Sequence, residues 1–382
     1  RCFAAWAATL TQTPLEVIAI DGKPSRRSGR AGARDALHVV SAFAARQRLV
    51  LAQAKVSGKS NEIAAIPALL DLLTIEGAIV TIDAMGCQRA IARKILDKKA
   101  DYVLALKGNQ GTLHEDVALF VEEQRPRDFA DCTVSTHETV EGDHGRIETR
   151  RVTVIHRVAW LQERHAWPGL KSLIVVDSTR DAATRIERET RCYLTSSPLG
   201  ADRLGPAIRQ HWAIENGLHW ILDVTFHDDQ SRIRTAHAPE NMLTVRHIAV
   251  NVAARKKGKD SMRLALKTAG WDDDYLVRLL PHDTSPDCPG RKRRGRHRAS
   301  RPGERRVRGR GGRAGGQRAV VADHAGGADA RDFAQAFLAL LERAVERAAG
   351  GPCVAVSFEP HPDIVLARTF KPLAPLTPPR RS

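Results

Sequence analysis

No stretch of this sequence is long and apolar enough to span a membrane. A transmembrane helix needs roughly 18–20 consecutive apolar residues, and no run approaches that length. The opening Arg1-Cys2-Phe3-Ala4-Ala5-Trp6 lacks the basic segment, apolar stretch and cleavage site of a secretory signal. Cys2, Cys87, Cys132, Cys192, Cys288 and Cys353 stand singly, with no CxxC pair and no Cys/His cluster at metal-ligand spacing. That argues against a structural zinc site and fits a reducing cytosol. Coiled-coil heptads are absent as well. An initiating methionine is missing too, and Arg1 in its place is read as the start of a fragment that has lost its N-terminus.

What is present is a chain of 382 residues, 42% hydrophobic and 27% charged, enough for one large or two modest domains with a proper core. The net charge of +16 hints at a polyanionic partner, but its location matters. Between Arg291 and Arg318 stand 13 Lys and Arg against the single Glu304, a local +12 that leaves +4 for everything else. Nucleic-acid binding by the folded part must therefore be argued from motifs rather than from bulk charge.

Residues 15–110 read as strand, strand, strand, helix, strand, helix, strand. Val17-Ile18-Ala19-Ile20-Asp21 is a short apolar run ending in an acid, and two further apolar, β-branched runs occupy 36–43 and 48–56. Ser60-Asn61-Glu62 opens a helix, Ile63, Ile66, Leu69, Leu70 and Leu73 recur at helical spacing, and Gly77 ends it. Ala78-Ile79-Val80-Thr81-Ile82-Asp83 is again a buried-type strand finishing in an acid; a helix over 87–98 and a strand over 101–106 follow. This order implies a mixed α/β sheet flanked by helices, RNase H-like in its succession of elements. Residues 111–200 read as a β-rich insertion of half-exposed strands, and 201–280 as helices that complete the core. In the first of these, 202–222, Leu204, Ile208, Trp212, Leu218 and Leu222 form the apolar stripe and Ile214 falls off it. Residues 1–14 are left as the remnant of an N-terminal region. Residues 281–382 form an Arg/Gly- and Pro-rich tail, expected to be disordered apart from an amphipathic stretch at 331–349, and attributable to a frameshift or fusion near residue 281.

Asp21 and Asp83 each close an apolar strand and precede a turn. Acids at the carboxyl ends of neighbouring strands repel unless cations lie between them, and hard oxygen ligands suit Mg²⁺ or Mn²⁺; the plainer reading is that each caps a turn or helix. Glu215 belongs to His211-Trp212-Ala213-Ile214-Glu215-Asn216-Gly217-Leu218-His219-Trp220, where His211, Trp212, Glu215 and His219 share one helical face. Trp212 and Trp220 either pack in the core or stack on a flipped base. Asp223, Asp228 and Asp229, close to Arg232 and Arg234, read as a local ion-pair network, with Asp223 the rival to Glu215 as a metal ligand.

Taken together, Ala19-Ile20-Asp21-Gly22-Lys23, Thr81-Ile82-Asp83-Ala84-Met85-Gly86-Cys87-Gln88, Leu104-Ala105-Leu106-Lys107-Gly108-Asn109-Gln110 and the block from His211 to Val224 closely resemble the DDE transposases of bacterial insertion sequences, the H-repeat-associated subgroup in particular. The resemblance runs from about residue 3 to 280. It implies an RNase H-like fold, with Asp21, Asp83 and Glu215 chelating two Mg²⁺ or Mn²⁺ ions. It further implies metal-dependent cleavage of DNA at element ends, followed by strand transfer into target DNA. The partners it implies are duplex DNA (transposon ends and target) and further copies of the chain, as a homodimer or larger assembly on paired ends. The location it implies is the cytoplasm, at the bacterial nucleoid. Lys23, Lys107, Arg209, His211 and His219 are candidate DNA-binding groups, and Asn109 a candidate to orient backbone; the lysines read equally well as solvated surface. The family's small N-terminal helical region is absent apart from Phe3-Ala4-Ala5-Trp6, so a DNA-binding relative that no longer cuts is the alternative reading.

Overall fold

Val17, Ile18, Ala19 and Ile20 are buried at four consecutive positions, which a strand achieves only when both faces of its sheet are covered. The computed structural model describes residues 2–279, apart from 12–13, 15, 30–35, 58–60, 144–145, 183–184 and 257; the tail read at 281–382 lies outside the described residues. Helix α1 (Cys2–Leu10) leads into strands β1 (Val17–Ser25), β2 (Leu37–Ala44) and β3 (Leu49–Lys55). Then follow α2 (Glu62–Asp71), β4 (Ile79–Ile82), α3 (Arg89–Asp97), β5 (Asp101–Leu106) and α4 (Thr112–Gln124). The next stretch holds β6 (Thr133–Asp143), β7 (Arg146–His156), α5 (Ala159–His165), β8 (Ser172–Ala182) and β9 (Arg185–Thr195). The last holds α6 (Ala201–His211), α7 (Trp220–Val224), α8 (Ala238–Lys256), α9 (Met262–Trp271) and α10 (Asp273–Leu279). Helix α2 stops at Asp71, short of the Gly77 expected to end it, and Ile75 to Ala78 close a turn instead. Among the described residues no helix is long and apolar enough to cross a membrane.

The strands form one sheet in the order β3-β2-β1-β4-β5-β9-β8-β7-β6. β1, β2 and β3 pair antiparallel, whereas β1, β4 and β5 pair parallel. This is the RNase H-like succession expected from the sequence. β9 adds antiparallel to β5, and β6 to β9 continue as an antiparallel meander, so these strands extend the same sheet.

Because side chains alternate across a strand, β1 feeds two cores. Ile18 and Ile20 point to one face, where they meet Ile66, Leu69 and Leu70 of α2 and Ile91 and Ile95 of α3. Ala19, with Val39, Phe43 and Val50, packs on the other face against Ile214, Leu218 and Leu222 and against Leu243 and Val250 of α8. Buried Asn251 of α8 accepts from Val50 N–H at 2.7 Å and donates to the Val50 carbonyl at 2.8 Å, covering the backbone of edge strand β3.

The single helix expected over 202–222 is broken. α6 ends at His211, residues 215–219 form a π-helical turn, and α7 runs from Trp220. Leu204 and Ile208 pack on Val103, Val152, Val154 and Ile174, whereas Ile214 and Leu218 pack on Ala19 and Phe43. One straight helix cannot present both sets; the extra residue of a π turn rotates the chain between them. Ile214 is thereby fully buried, and Trp220 is turned outward, 56% exposed.

Candidate active site

The parallel register of β1 and β4 pairs Ile20 with Ile82, so Asp21 and Asp83 are the next residues on two neighbouring strands about 4.8 Å apart. β1 itself runs on to Ser25, paired beyond this point with β2 alone. Asp21 thus sits where the sheet splits, at the carboxyl edge that builds sites in open α/β sheets. Its Oδ1 accepts the Gly22 N–H at 2.9 Å, and Asp83 Oδ1 faces the Gly86 N–H at 3.4 Å. The π turn carries Glu215, exposed, toward the same edge.

Burial pushes the Asp21 carboxyl up to about 7, and the charges of Asp83, Glu62 and Glu215 push in the same direction against the Gly22 hydrogen bond. Mutual repulsion therefore registers all three acids read from the sequence, together with a fourth. Glu62, the first residue of α2, is 9% exposed and lies 2.8 Å from His38 Nε2. Its own carboxyl is raised by burial, lowered by His38 and raised again by Asp83. The sequence marked Glu62 only as part of a helix start, since an acid in a first turn is ordinary for the helix dipole.

His219 Nδ1 lies 3.5 Å from Asp21 Oδ2. Burial drives this imidazole down to about 4, and Lys23 and His211 push it further the same way. His211 Nδ1 is 3.0 Å from Thr81 Oγ1 on β4, and burial lowers it also, with Asp83 opposing. Both rings are therefore neutral near pH 7. On the other flank Lys107 and Asn109, exposed, share an open cleft with Asp83 and Met85. Asn109 Nδ2 donates to the Ala84 carbonyl at 2.7 Å, fixing the turn after Asp83.

Two candidates point elsewhere. Arg209 pairs with Glu141 of β6 at 3.0 Å. Lys23, its side chain 12% exposed, is bound 2.7 Å from Asp223 and 3.5 Å from Asp229. Asp223, Asp228 and Asp229 are the one group of three carboxylates, among the described residues, whose ligand atoms all lie within 4.8 Å of one another; Asp21, Asp83 and Glu215 are set wider. Yet each acid of that group has a cation of the chain. Asp228 accepts from Arg246 and, at 2.5 Å, from the Ser25 hydroxyl, and Asp229 pairs with Arg26 at 3.2 Å. The ion-pair network is real and reaches beyond its own segment: bases come to it from β1, the segment after it and α8. Trp212 lies beneath the Arg191 guanidinium, 5.4 Å from ring centre to Cζ.

The chain matches the family model described as a transposase DDE domain over residues 12–252. It is 38% identical over 292 residues to the H repeat-associated putative transposase YhhI of Escherichia coli strain K12, covering 73% of this chain and 75% of that one. It is 44% identical over 275 residues to the putative transposase YncI of Escherichia coli O157:H7, covering 70% of each. Among solved structures, a piggyBac transposase synaptic complex with hairpin DNA aligns over 75% of this chain and 62% of that one, with 10% identity and a TM-score of 0.36.

Proposed function

This chain belongs to the DDE transposase family, and on that premise we propose that it cuts DNA at the ends of an insertion sequence and joins them to target DNA, using Asp21, Asp83 and Glu215. The observation that carries the reading is the convergence of these carboxylates on the split between β1 and β4, where burial, reinforced by the neighbouring acids, holds Asp21 near 7. A donor set of carboxylate oxygens alone, with its charge poorly matched by the chain, fits hard divalent cations and no soft metal. DDE transposases use divalent metals, and Asp21, Asp83 and Glu215 are the residues that would hold them here. Mg²⁺ or Mn²⁺, when bound, supplies positive charge at the scissile phosphate and activates water for in-line attack.

The residues of the chain do the rest. Water oxygen forms a bond to phosphorus as the bond from phosphorus to the 3′ oxygen breaks, leaving a 3′-hydroxyl; that hydroxyl then bonds to a phosphorus of the target in the same site as the target's own 3′ oxygen leaves and takes up a proton. Lys107, exposed beside Asp83, is suited to a phosphate of the bound strand, and Asn109 keeps the turn that presents Asp83. Neutral His219 buttresses Asp21 without adding charge to it. Lys23 and Arg209 each also hold a carboxylate of the chain.

The test is nicking of a plasmid that carries the flanking DNA of the gene, with Mg²⁺ or Mn²⁺, by the native chain and by Asp83→Asn. Metal-dependent cuts that disappear in the variant support the reading, and mapping them defines the element ends. Cuts that persist in Asp83→Asn refute this site. A shift of labelled DNA by both proteins without any cut supports instead a relative that binds and does not cleave.

A further inference from the structure

Glu62 has a setting that helix formation does not explain. A first-turn acid gains roughly 0.3–1 kcal/mol from the helix dipole while remaining in solvent. Here the residue is only 9% exposed, although burying a carboxylate is unfavourable unless it is paired. The space it enters is one that β1 leaves open. A Cβ built on Gly22 would lie 2.1 Å from Glu62 Oε1 and 2.3 Å from its Cδ. Any residue but glycine beside Asp21 would therefore displace this carboxylate. His38 Nε2 of β2 lies 2.8 Å from the same Oε1. The carboxylate so held stands within electrostatic reach of both Asp21 and Asp83. A single imidazole cannot balance three acids gathered there, and a divalent cation can.

We propose that Glu62 is a fourth carboxylate of the cation site, a ligand group seated in the Gly22 gap and oriented by His38. This rests on the reading of Asp21, Asp83 and Glu215 as metal ligands. It assigns a role to a residue on α2, on the opposite face of the sheet from the π turn that carries Glu215, so that the cation is approached from both faces.

The test is Mn²⁺ binding to the DNA-free protein, followed by calorimetry and by the electron paramagnetic resonance of the ion, for the native chain, Glu62→Gln, Glu62→Asp and Asp83→Asn. Urea midpoints of the metal-free proteins report folding separately. Loss of an orienting or ligating group typically weakens metal binding by about 10–100-fold, so Glu62→Gln is expected to raise the Kd at least about tenfold with its metal-free midpoint unchanged or higher. Glu62→Asp, which keeps the charge but draws it back from Gly22, is expected to weaken binding as well, and decides the matter if Glu62→Gln does not fold. Native-like Mn²⁺ affinity in the Glu62 variants, alongside lost affinity in Asp83→Asn, overturns the assignment of Glu62 and leaves the site standing. Native-like affinity in Asp83→Asn removes the site itself, and Glu62 with it.

Discussion

Asp21→Asn should make the metal-free protein more stable above pH 7, and the gain should vanish in acid. The folded chain raises the Asp21 carboxyl from 3.8 to about 7, first by burial and then by the charges of Asp83, Glu62 and Glu215. Between those two values the folded protein holds a proton that the unfolded chain has released. Raising the pH through this window therefore destabilises the fold, and the full penalty is present above about 7; below 3.8 both states are protonated and no penalty remains. A displacement of roughly three pH units at about 1.36 kcal/mol each sets a ceiling of about 4 kcal/mol. A fifth of the side chain is reached by water, and screening by solvent lowers the expected gain to about 1–3 kcal/mol at pH 8. The assay is urea unfolding of both proteins in a chelator at pH 5, 6, 7 and 8. The stability gap should widen from pH 5 to pH 7 and then level off, and added Mn²⁺ should favour the native chain alone. A gap that is flat with pH, or a variant less stable than the native chain at pH 8, would show that Asp21 is not held near neutrality by its burial and its neighbours.

Two further perturbations separate the scaffold from the site. Arg246→Met strands the Asp228 carboxylate, 1% exposed, leaving it the Ser25 hydroxyl, and should lower stability by about 3–5 kcal/mol; thermal melting should show the loss, and the double variant with Asp228→Asn should recover much of it. Equal melting temperatures for the native chain and Arg246→Met would refute a buried pair. Asn109→Ala removes the bond to the Ala84 carbonyl from an exposed residue, so stability should fall by no more than about 1 kcal/mol. Plasmid nicking should nevertheless slow roughly tenfold as Asp83 loses its fixed turn, and an unchanged rate would dismiss that role.

The elements of the core were legible because their signals are local. Val17 to Ile20 is an unbroken apolar run and Ile79 to Ile82 one interrupted only by Thr81, each followed by an acid, and a parallel strand buried on both faces writes that pattern directly. Their placement side by side makes neighbours of Asp21 and Asp83. What stayed hidden depends on residues distant in sequence. Nothing near Lys23 announces that its ammonium turns to Asp223 and Asp229, some 200 residues on, and nothing near Asp228 points to Ser25. Glu62 looks like any first-turn acid until Gly22, on strand β1, is seen to leave room for it. The break after His211 escaped for a different reason. Leu204, Ile208, Trp212, Leu218 and Leu222 fit one helical stripe well enough, so that only buried Ile214 betrays the change of face.

That break bears on how the acids are held together. Four carboxylates crowded on one sheet edge repel, and the repulsion acts to part Glu215 from Asp21. Lys23 lies two residues beyond Asp21 on β1, and Asp223 eight residues beyond Glu215 at the end of α7. Their ion pair at 2.7 Å joins the two elements that the carboxylates push apart. Asp228 continues the join, from Ser25 at the end of β1 to Arg246 on α8. The paired cluster is therefore the mechanical counterpart of the unpaired one. Cations supplied by the chain bind three acids into a strut, and the strut keeps in place the acids for which the chain supplies too few.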